Sequence, residues 1–392
     1  MEVYCFMKKG LILTILIASL LSSACSSTNK IDESYEARNN TETVNAMVEQ
    51  LDTQSGLEPI EDGSVASAEA SSEDVVSGDE LELDESQAEN YYDDEGHYLF
   101  NPHVFVASLY PTYPTEYWDS LYKLVDALRA GEDTFECANE GAYRWCTDMG
   151  VLGNLFPVAT EFIQRGTYQD GKGTITYKIP VNEFLEKEKA FEQDVEGILR
   201  DCVKTDYTDF EKCLAIYTYM VKNFKYNDDM NGDFAEGEGD GLFGTYNCFR
   251  NRSGICSGLA PVYAYLLMQC NIDAFTVGTD KIAHAFVYLN IDGAGYFSDV
   301  TYAISYVSGG SIVMDYFMMT AQNRRDSGFD IPGDLHSMLI DGIYEGDFDY
   351  STLTANSDKY SFFKYTSLQD FDPEQNVVTY INGHGETVEY KY

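Results

Sequence analysis

The chain has 392 residues and a formal net charge of −41 at pH 7. The length allows two or three domains, and so strong an acidic balance argues against nucleic acid as a partner. The charge is unevenly spread, because residues 31–96 hold 21 acidic residues and one basic residue, Arg38. That segment is also poor in aromatic and aliphatic residues, which is typical of a chain that does not fold.

The chain opens with the pattern of a targeting signal. Lys8 and Lys9 precede an apolar run, 11–21, and small residues follow it up to Cys25. The run is too short for a typical membrane span, and small residues before a cysteine resemble a lipobox. We therefore interpret residues 1–24 as a lipoprotein signal peptide and Cys25 as the lipidated first residue of the mature protein. Plain cleavage and secretion is the alternative.

Residues 25–97 are interpreted as a disordered acidic tether, because like charges repel and extend such a segment. With Cys25 lipidated, the tether would hold the rest of the protein away from the extracytoplasmic face of the cell membrane.

The composition becomes apolar and aromatic near Tyr98, and residues 98–194 are predicted to form an N-terminal α+β region. Helical spacing predicts a helix over 115–130 that stops at Gly131. Alternation predicts a strand over 173–180, and a charged helix is expected from Asn182 to about Val203. This helix-plus-hairpin region is expected to pack on the core that follows.

A capping box, Thr208-Asp209-Phe210-Glu211, marks the start of the next helix. The Gly- and acid-rich stretch from Asp228 to Gly244 is predicted to be a mobile loop. A helix is then predicted to begin at Cys256, because apolar residues recur after it at helical spacing. A thiol at a helix N-terminus is favoured as the thiolate.

Cys256, His284 and Asp299 have the residue types that nucleophilic acyl transfer needs. His284 is predicted to begin a strand, and a turn at 292–295 leads to a second strand that includes Asp299. Because side chains alternate along strands, Asp299 is expected on the same face as His284. The carboxylate would then orient one imidazole nitrogen while the other faces Cys256.

These residues resemble the transglutaminase-like superfamily, whose core is papain-like. The similarity covers about residues 195–330. The matching motifs are Gly254, Cys256 and Gly258, then His284-Ala285-Phe286-Val287, then Asp299-Val300-Thr301. The resemblance implies an α+β fold in which a helix carrying the nucleophile packs on an antiparallel sheet, within a catalytic domain over 195–344. It also implies a Cys-His-Asp triad that acts on amide bonds of protein or peptide substrates, as a peptidase or amidase or as a transglutaminase.

Further expectations concern other parts of the sequence. Tyr246 or Asn247 could help the Cys256 N–H to stabilise an oxyanion. Residues 345–392 are predicted to form a small β tail, because Asn382-Gly383 follows an alternating run. His336 is interpreted as structural. No metal or organic cofactor is implied, and no disulfide pairing follows from the cysteine spacing. The rival hypothesis is a non-catalytic surface module that binds cell-wall or extracellular protein through the same groove.

Overall fold

The computed structural model describes residues 91–227, 244–279, 283–306, 311–326, 335–340 and 348–392. The signal peptide, Cys25, nearly all of the tether and most of the predicted loop over 228–244 lie outside these residues. The helices are α1 (Thr115–Ala130), α2 (Glu140–Cys146), α3 (Met149–Leu155), α4 (Val158–Phe162), α5 (Val181–Cys202), α6 (Asp209–Asn223), α7 (Thr245–Asn251), α8 (Cys256–Gln269), α9 (Val300–Ser305) and α10 (Ala321–Asp326). No helix in the described part of the chain is long and apolar enough to cross a membrane.

The strands form three antiparallel sheets and one short parallel pair. They are β1 (Thr134–Glu136), β2 (Ile163–Gln169), β3 (Lys172–Tyr177), β4 (Lys225–Tyr226), β5 (Ser253–Gly254), β6 (Asp273–Thr279), β7 (His284–Ile291), β8 (Ala294–Ser298), β9 (Ile312–Val313), β10 (Leu335–His336), β11 (Ser367–Asp372), β12 (Val377–Ile381) and β13 (Thr387–Lys391). The sheet orders are β1-β3-β2, β10-β6-β7-β8 and β13-β12-β11-β9, and β4 pairs with β5.

The N-terminal region follows the sequence pattern closely. The predicted helix over 115–130 is α1, and Gly131 ends it in the left-handed conformation with φ 75°. The strand expected over 173–180 is β3, which begins and ends slightly earlier. It forms a hairpin with β2, and the turn residues Asp170 and Gly171 both have positive φ, as a two-residue hairpin turn requires.

The capping box at the start of α6 is formed as predicted. The Thr208 hydroxyl accepts the Glu211 N–H, and the Glu211 carboxylate accepts the Thr208 N–H. Two N–H groups that the helix leaves without internal partners are thereby satisfied. The same Glu211 also accepts a hydrogen bond from the hydroxyl of Tyr392, 2.7 Å away, so the C-terminal residue is attached to the start of α6.

Helix α8 is more deeply buried than its amphipathic spacing suggests. Every residue from Gly258 to Gln269 is buried, and the helix packs against β6 and β7 on one side and against α6 and α7 elsewhere. A helix that is apolar all round belongs to the interior of a protein. Helix α8 is therefore the central element on which the sheet β10-β6-β7-β8 rests.

The strands β7 and β8 form a tight hairpin. Ile291 pairs with Ala294, so the loop is the two residues Asp292 and Gly293, both at positive φ. This register would place residue 301 opposite His284. A strand that continued to Asp299 would then have Asp299 on the same face as His284, as expected. However, β8 ends at Ser298, before it reaches that level.

The prediction that Asp299 lies on a strand is wrong. Asp299 is the N-cap of α9, and its side chain accepts the N–H of Tyr302. Aspartate is among the residues preferred at this position, because its carboxylate satisfies a free N–H of the first turn. The local capping interaction thus outweighs the β propensity of Val300, Thr301 and Tyr302.

The C-terminal residues form the expected β structure with a longer turn. The residues between β12 and β13 are 382–386, with Gly385 at positive φ, rather than Asn382-Gly383 alone. The sheet also includes β9, which comes from the segment after α9. The tail is therefore joined by backbone hydrogen bonds to the region that precedes it.

The described residues from Tyr91 to Tyr392 belong to one compact unit, and one cluster of buried apolar residues extends from Tyr98 to Tyr380. A turn at 93–97, closed by the pairing of Tyr92 with Tyr98, opens this unit. Residues 91–97, which the sequence analysis assigned to the tether, therefore belong to this unit. The predicted boundary between residues 194 and 195 falls inside α5, and the domain boundaries otherwise stay predictions.

Candidate active site

Cys256 is the first residue of α8 and is 5% exposed. The short strand β5 leads into it, and Ile255 is the N-cap. Gly254 is needed for this approach, because a Cβ at that position would lie 2.9 Å from the Sγ of Cys248. The thiol therefore sits where the free N–H groups and the dipole of α8 favour a negative charge.

His284 begins β7, as predicted, and pairs with Thr279 of β6. The residue is 9% exposed. Its ring packs against Tyr302, with centroids 4.4 Å apart, and stacks more distantly on Phe286 at 6.4 Å. Two aromatic side chains thus fix the plane of the imidazole.

Asp299 connects to His284 directly. The Nε2 of His284 lies 2.8 Å from the Oδ2 of Asp299, while Oδ1 accepts the Tyr302 N–H at 3.1 Å. The Asp299 side chain has no solvent exposure. Since Nε2 is occupied by the carboxylate, the nitrogen left for the thiol of Cys256 is Nδ1.

Arg324 is a site residue that the sequence reasoning missed. It lies on α10 and is fully buried, and its guanidinium NH1 donates to the Oδ2 of Asp299 at 2.7 Å. The guanidinium carbon also lies 4.1 Å from the centroid of Phe286. Nothing in the local sequence marks this arginine, since Arg325 and Asp326 beside it are exposed and a short polar helix is typical of a solvated surface.

The pKa values of the three groups are shifted towards charged forms. Burial by itself would raise the pKa of the Cys256 thiol, but the hydrogen bond and the charge of His284 outweigh burial and lower it. Burial alone would lower the pKa of His284, but the Asp299 carboxylate raises that pKa to about 9. Burial opposes the ionised form of Asp299 too, yet the charges of His284 and Arg324 bring its pKa to about 2.

These shifts oppose the ordinary order of titration. A free imidazole titrates near 6.5 and a free thiol near 9, so a neutral pair is normal in water. Here the imidazole holds its proton more tightly and the thiol releases its proton more readily. The arrangement can therefore supply a thiolate nucleophile together with an imidazolium acid.

The structure also describes Tyr246, Asn247 and His336. The Tyr246 ring, on α7, packs against Phe162 and Phe191 at centroid distances of 5.3 and 5.9 Å, which favours a core role, and Asn247 is half-buried. The oxyanion role of either stays a prediction. His336 pairs with Gly278 at the edge of the sheet.

The seven cysteines in the described residues are free thiols. They are Cys137, Cys146, Cys202, Cys213, Cys248, Cys256 and Cys270. Among the described residues, Asp93, Glu95 and His97 bring possible metal ligand atoms within 4.8 Å of one another. The Oδ1 of Asp93 already accepts the N–H groups of Glu95 and His97, so the group is explained by the turn that it closes.

Comparison with known proteins adds little to this geometry. No family model matches the chain, and no curated protein matches it. A solved structure described as the crystal structure of a TGase matches 39% of this chain at 12% identity, with a TM-score of 0.26. The match spans about half of that chain, 47% of its length. On its own secondary structure, this chain is an α+β protein.

Proposed function

We propose that this protein is a cysteine acyl-transfer enzyme in which Cys256, His284 and Asp299 act on amide bonds of protein or peptide substrates. The observation that carries the proposal is the order of the three groups. Cys256 lies at a helix N-terminus and is hydrogen-bonded to the imidazole of His284. The Nε2 of the same imidazole contacts the buried carboxylate of Asp299. This order is the nucleophile, base and orienting acid of covalent acyl transfer.

The reaction that this order supports has two halves. The Cys256 thiolate attacks the amide carbonyl, and the C–N bond breaks as the His284 imidazolium gives its proton to the leaving amine. The thioester is then attacked by water or by an amine, whose proton passes to His284 as the thiolate leaves. Asp299 holds the imidazole in one tautomer throughout. Hydrolysis and cross-linking differ only in the second nucleophile, and both stay open.

The test is an assay of the full chain on casein with and without a fluorescent primary amine. Release of acid-soluble peptides indicates hydrolysis, and fluorescent casein indicates cross-linking. Cys256→Ala should abolish either signal. Cys202→Ala is the matched control, since Cys202 is a thiol at the end of a different helix, α5, and this variant should keep wild-type activity.

The rival hypothesis, a non-catalytic surface module, makes a different prediction. A folded wild type would release no peptide, incorporate no amine and label slowly at Cys256 with iodoacetamide. That combination of results would replace the enzymatic proposal with the binding one. Casein activity that survives in Cys256→Ala would instead assign the chemistry to another group.

We also propose that the enzyme acts outside the cytoplasm, attached to the membrane through lipid on Cys25. The support is the sequence alone, that is, the basic start, the apolar run and the small residues before Cys25. The mature protein should partition into detergent, and Cys25→Ala should release it or leave the precursor uncut. A soluble mature protein whose N-terminus lies elsewhere would contradict the anchor.

A further inference from the structure

We propose that Arg324 is a positioning residue for this site. It holds Asp299 as a carboxylate with Oδ2 directed at His284, so that the imidazolium–thiolate pair forms inside a buried cluster with no net charge. This inference rests on the proposed function, because it assigns a role in setting the state of Cys256.

The geometry couples the guanidinium to the imidazole through shared neighbours. Arg324 and His284 donate to the same oxygen, Oδ2 of Asp299, at 2.7 and 2.8 Å. The guanidinium also lies over Phe286 and, at 5.9 Å, over Tyr302. Both rings pack on the imidazole of His284 as well. A displacement of either cation would therefore disturb the other.

Stability alone is a poor reason for this arginine to be buried. Removing two charges from water costs about as much as their attraction returns, so a buried ion pair adds little net stability over an apolar pair. Asp299 already has the His284 ring and the Tyr302 N–H as partners. The additional buried cation is better explained by what it does to the charge of the site.

The charges in the cluster balance only when Arg324 is present. The imidazolium and the guanidinium are positive, and the thiolate and the carboxylate are negative. Without Arg324, the thiolate would form beside an uncompensated carboxylate, and like charges oppose ionisation. Without Asp299, the guanidinium would be uncompensated and would favour loss of protons from the pair.

The other titratable groups described near the cluster do not supply the positive charge that Arg324 contributes. Burial raises the pKa of the tyrosines that pack around Asp299 and His284, so these side chains stay neutral at assay pH. The nearby carboxylate of Asp315 accepts the Tyr365 N–H and would add only negative charge. The tyrosines are Tyr217 of α6, Tyr302 of α9 and Tyr316 of the following segment.

The experiment measures the rate at which iodoacetamide alkylates Cys256 in the full-length protein, from about pH 4 to pH 10. The Cys256 peptide is quantified by mass spectrometry, so that other thiols do not contribute. The midpoint of the rate against pH reports formation of the thiolate. Arg324→Met should move the midpoint to higher pH by about one unit, the lower end of the effect of a neighbouring charge.

Asp299→Asn should move the midpoint the other way, because the guanidinium is then in excess. The double variant Arg324→Met/Asp299→Asn removes both charges and should return the midpoint towards that of the wild type. Arg324→Lys keeps the charge and should stay closer to the wild type than Arg324→Met does. Arg325→Met is the matched control, since Arg325 is exposed on the same helix, and it should change nothing.

Opposite shifts that cancel are a sign of charge, which a purely structural arginine would not produce. If Arg324→Met does not fold, the comparison of Asp299→Asn with the double variant still decides, because both lack the carboxylate. Equal midpoints in those two variants would overturn the inference. If the wild-type midpoint is shifted to acid pH and Arg324→Met does not change it, the inference is overturned, while the proposed function stands. A wild-type midpoint at the ordinary thiol value would overturn both.

Discussion

Asp299 is a buried carboxylate with several hydrogen-bond partners. It is fully buried, and its two oxygens accept hydrogen bonds from an imidazole, a guanidinium and a backbone N–H. These contacts allow Asp299 to orient His284. They also mean that removal of the carboxylate should lower the stability of the protein. Truncating one member of a buried ion pair leaves the other charge without compensation, which destabilises a protein by about 3–5 kcal/mol.

Variants of the three proposed catalytic residues should differ in severity. Cys256→Ala should remove turnover, because no nucleophile remains. His284→Ala should lower the rate by roughly 10⁴-fold and Asp299→Asn by roughly 10²-fold, the two ends of the usual range for proton transfer by a positioned side chain. The double variant Cys256→Ala/His284→Ala should lose little beyond Cys256→Ala, because the residues act as a unit. Initial rates on casein, with circular dichroism to check folding, measure this order.

A folded Cys256→Ala protein with wild-type turnover would show that the nucleophile lies elsewhere. A folded Asp299→Asn protein that is more damaged than His284→Ala would show that Asp299 does more than orient the ring.

The pH dependence of turnover should be bell-shaped, with a lower limb below the ordinary thiol value. As the pH rises, activity appears when Cys256 becomes a thiolate, and its lowered pKa places this below the ordinary value of 9. Activity is then lost as the pH passes about 9, where the His284 imidazolium gives up the proton that the leaving amine needs. Measured values belong to the coupled pair rather than to either residue alone. A single rise through pH 9 without a later fall would mean that the thiol titrates normally.

The site was partly predictable at the residue scale. Cys256 and His284 begin their helix and strand where the sequence pattern put them, because apolar periodicity and a turn signal define those ends locally. Arg324 was not predictable, since it is 25 residues from Asp299 along the chain. Tertiary packing brings the short helix α10 against the Asp299 carboxylate, and no local sequence pattern predicts that contact.

At the scale of elements, the most reliable predictions were those with a complete local mechanism. The capping box of α6 and the Gly131 stop of α1 are formed as their residues require. The strand predicted through Asp299 failed because two local preferences competed there. Alternating apolar residues favoured a strand, whereas the aspartate favoured the start of a helix. The hydrogen-bond donors around the Asp299 carboxylate favour the helix start that the structure shows.

Loss of the α6 cap should have a defined cost. Thr208→Ala removes the hydroxyl that accepts the Glu211 N–H and should lower the free energy of unfolding by about 1 kcal/mol. Thr208→Ser keeps the hydroxyl and should lie within a few tenths of the wild type. Urea unfolding, followed by circular dichroism, measures both variants. Equal loss in the two would trace the effect to the methyl group rather than to the hydrogen bond.

At the scale of the molecule, the described residues from Tyr91 onward form one unit whose parts share sheets and a core. The C-terminal sheet includes β9, and the Tyr392 ring packs on Phe210 at 4.9 Å. Regions that composition separates therefore share one core among the described residues. Contacts such as these join residues far apart in sequence, so local patterns do not report them.

Limited proteolysis of the full chain should find the boundary of this unit. Residues 26–90 lack the apolar content that offsets the entropy of an ordered chain, so a broad-specificity protease should cut there first. N-terminal sequencing of the resistant product should give a start close to Tyr91, because Tyr92 pairs with Tyr98 across the turn at 93–97. Protection of the acidic segment, or a start well inside α1, would contradict this boundary.

The measurement that tests the proposed chemistry most directly is capture of the acyl-enzyme on Cys256. A slowly hydrolysed activated ester is mixed with the full-length protein, and the quenched product is analysed by intact and peptide mass spectrometry. We predict one acyl group per chain, on Cys256, in a thioester that hydroxylamine cleaves. Cys202→Ala should acquire the group like the wild type, Cys256→Ala should not acquire it, and His284→Ala should acquire it far more slowly. A folded wild type that remains unmodified, or that carries the group on another residue, would contradict the assignment of Cys256 as the nucleophile.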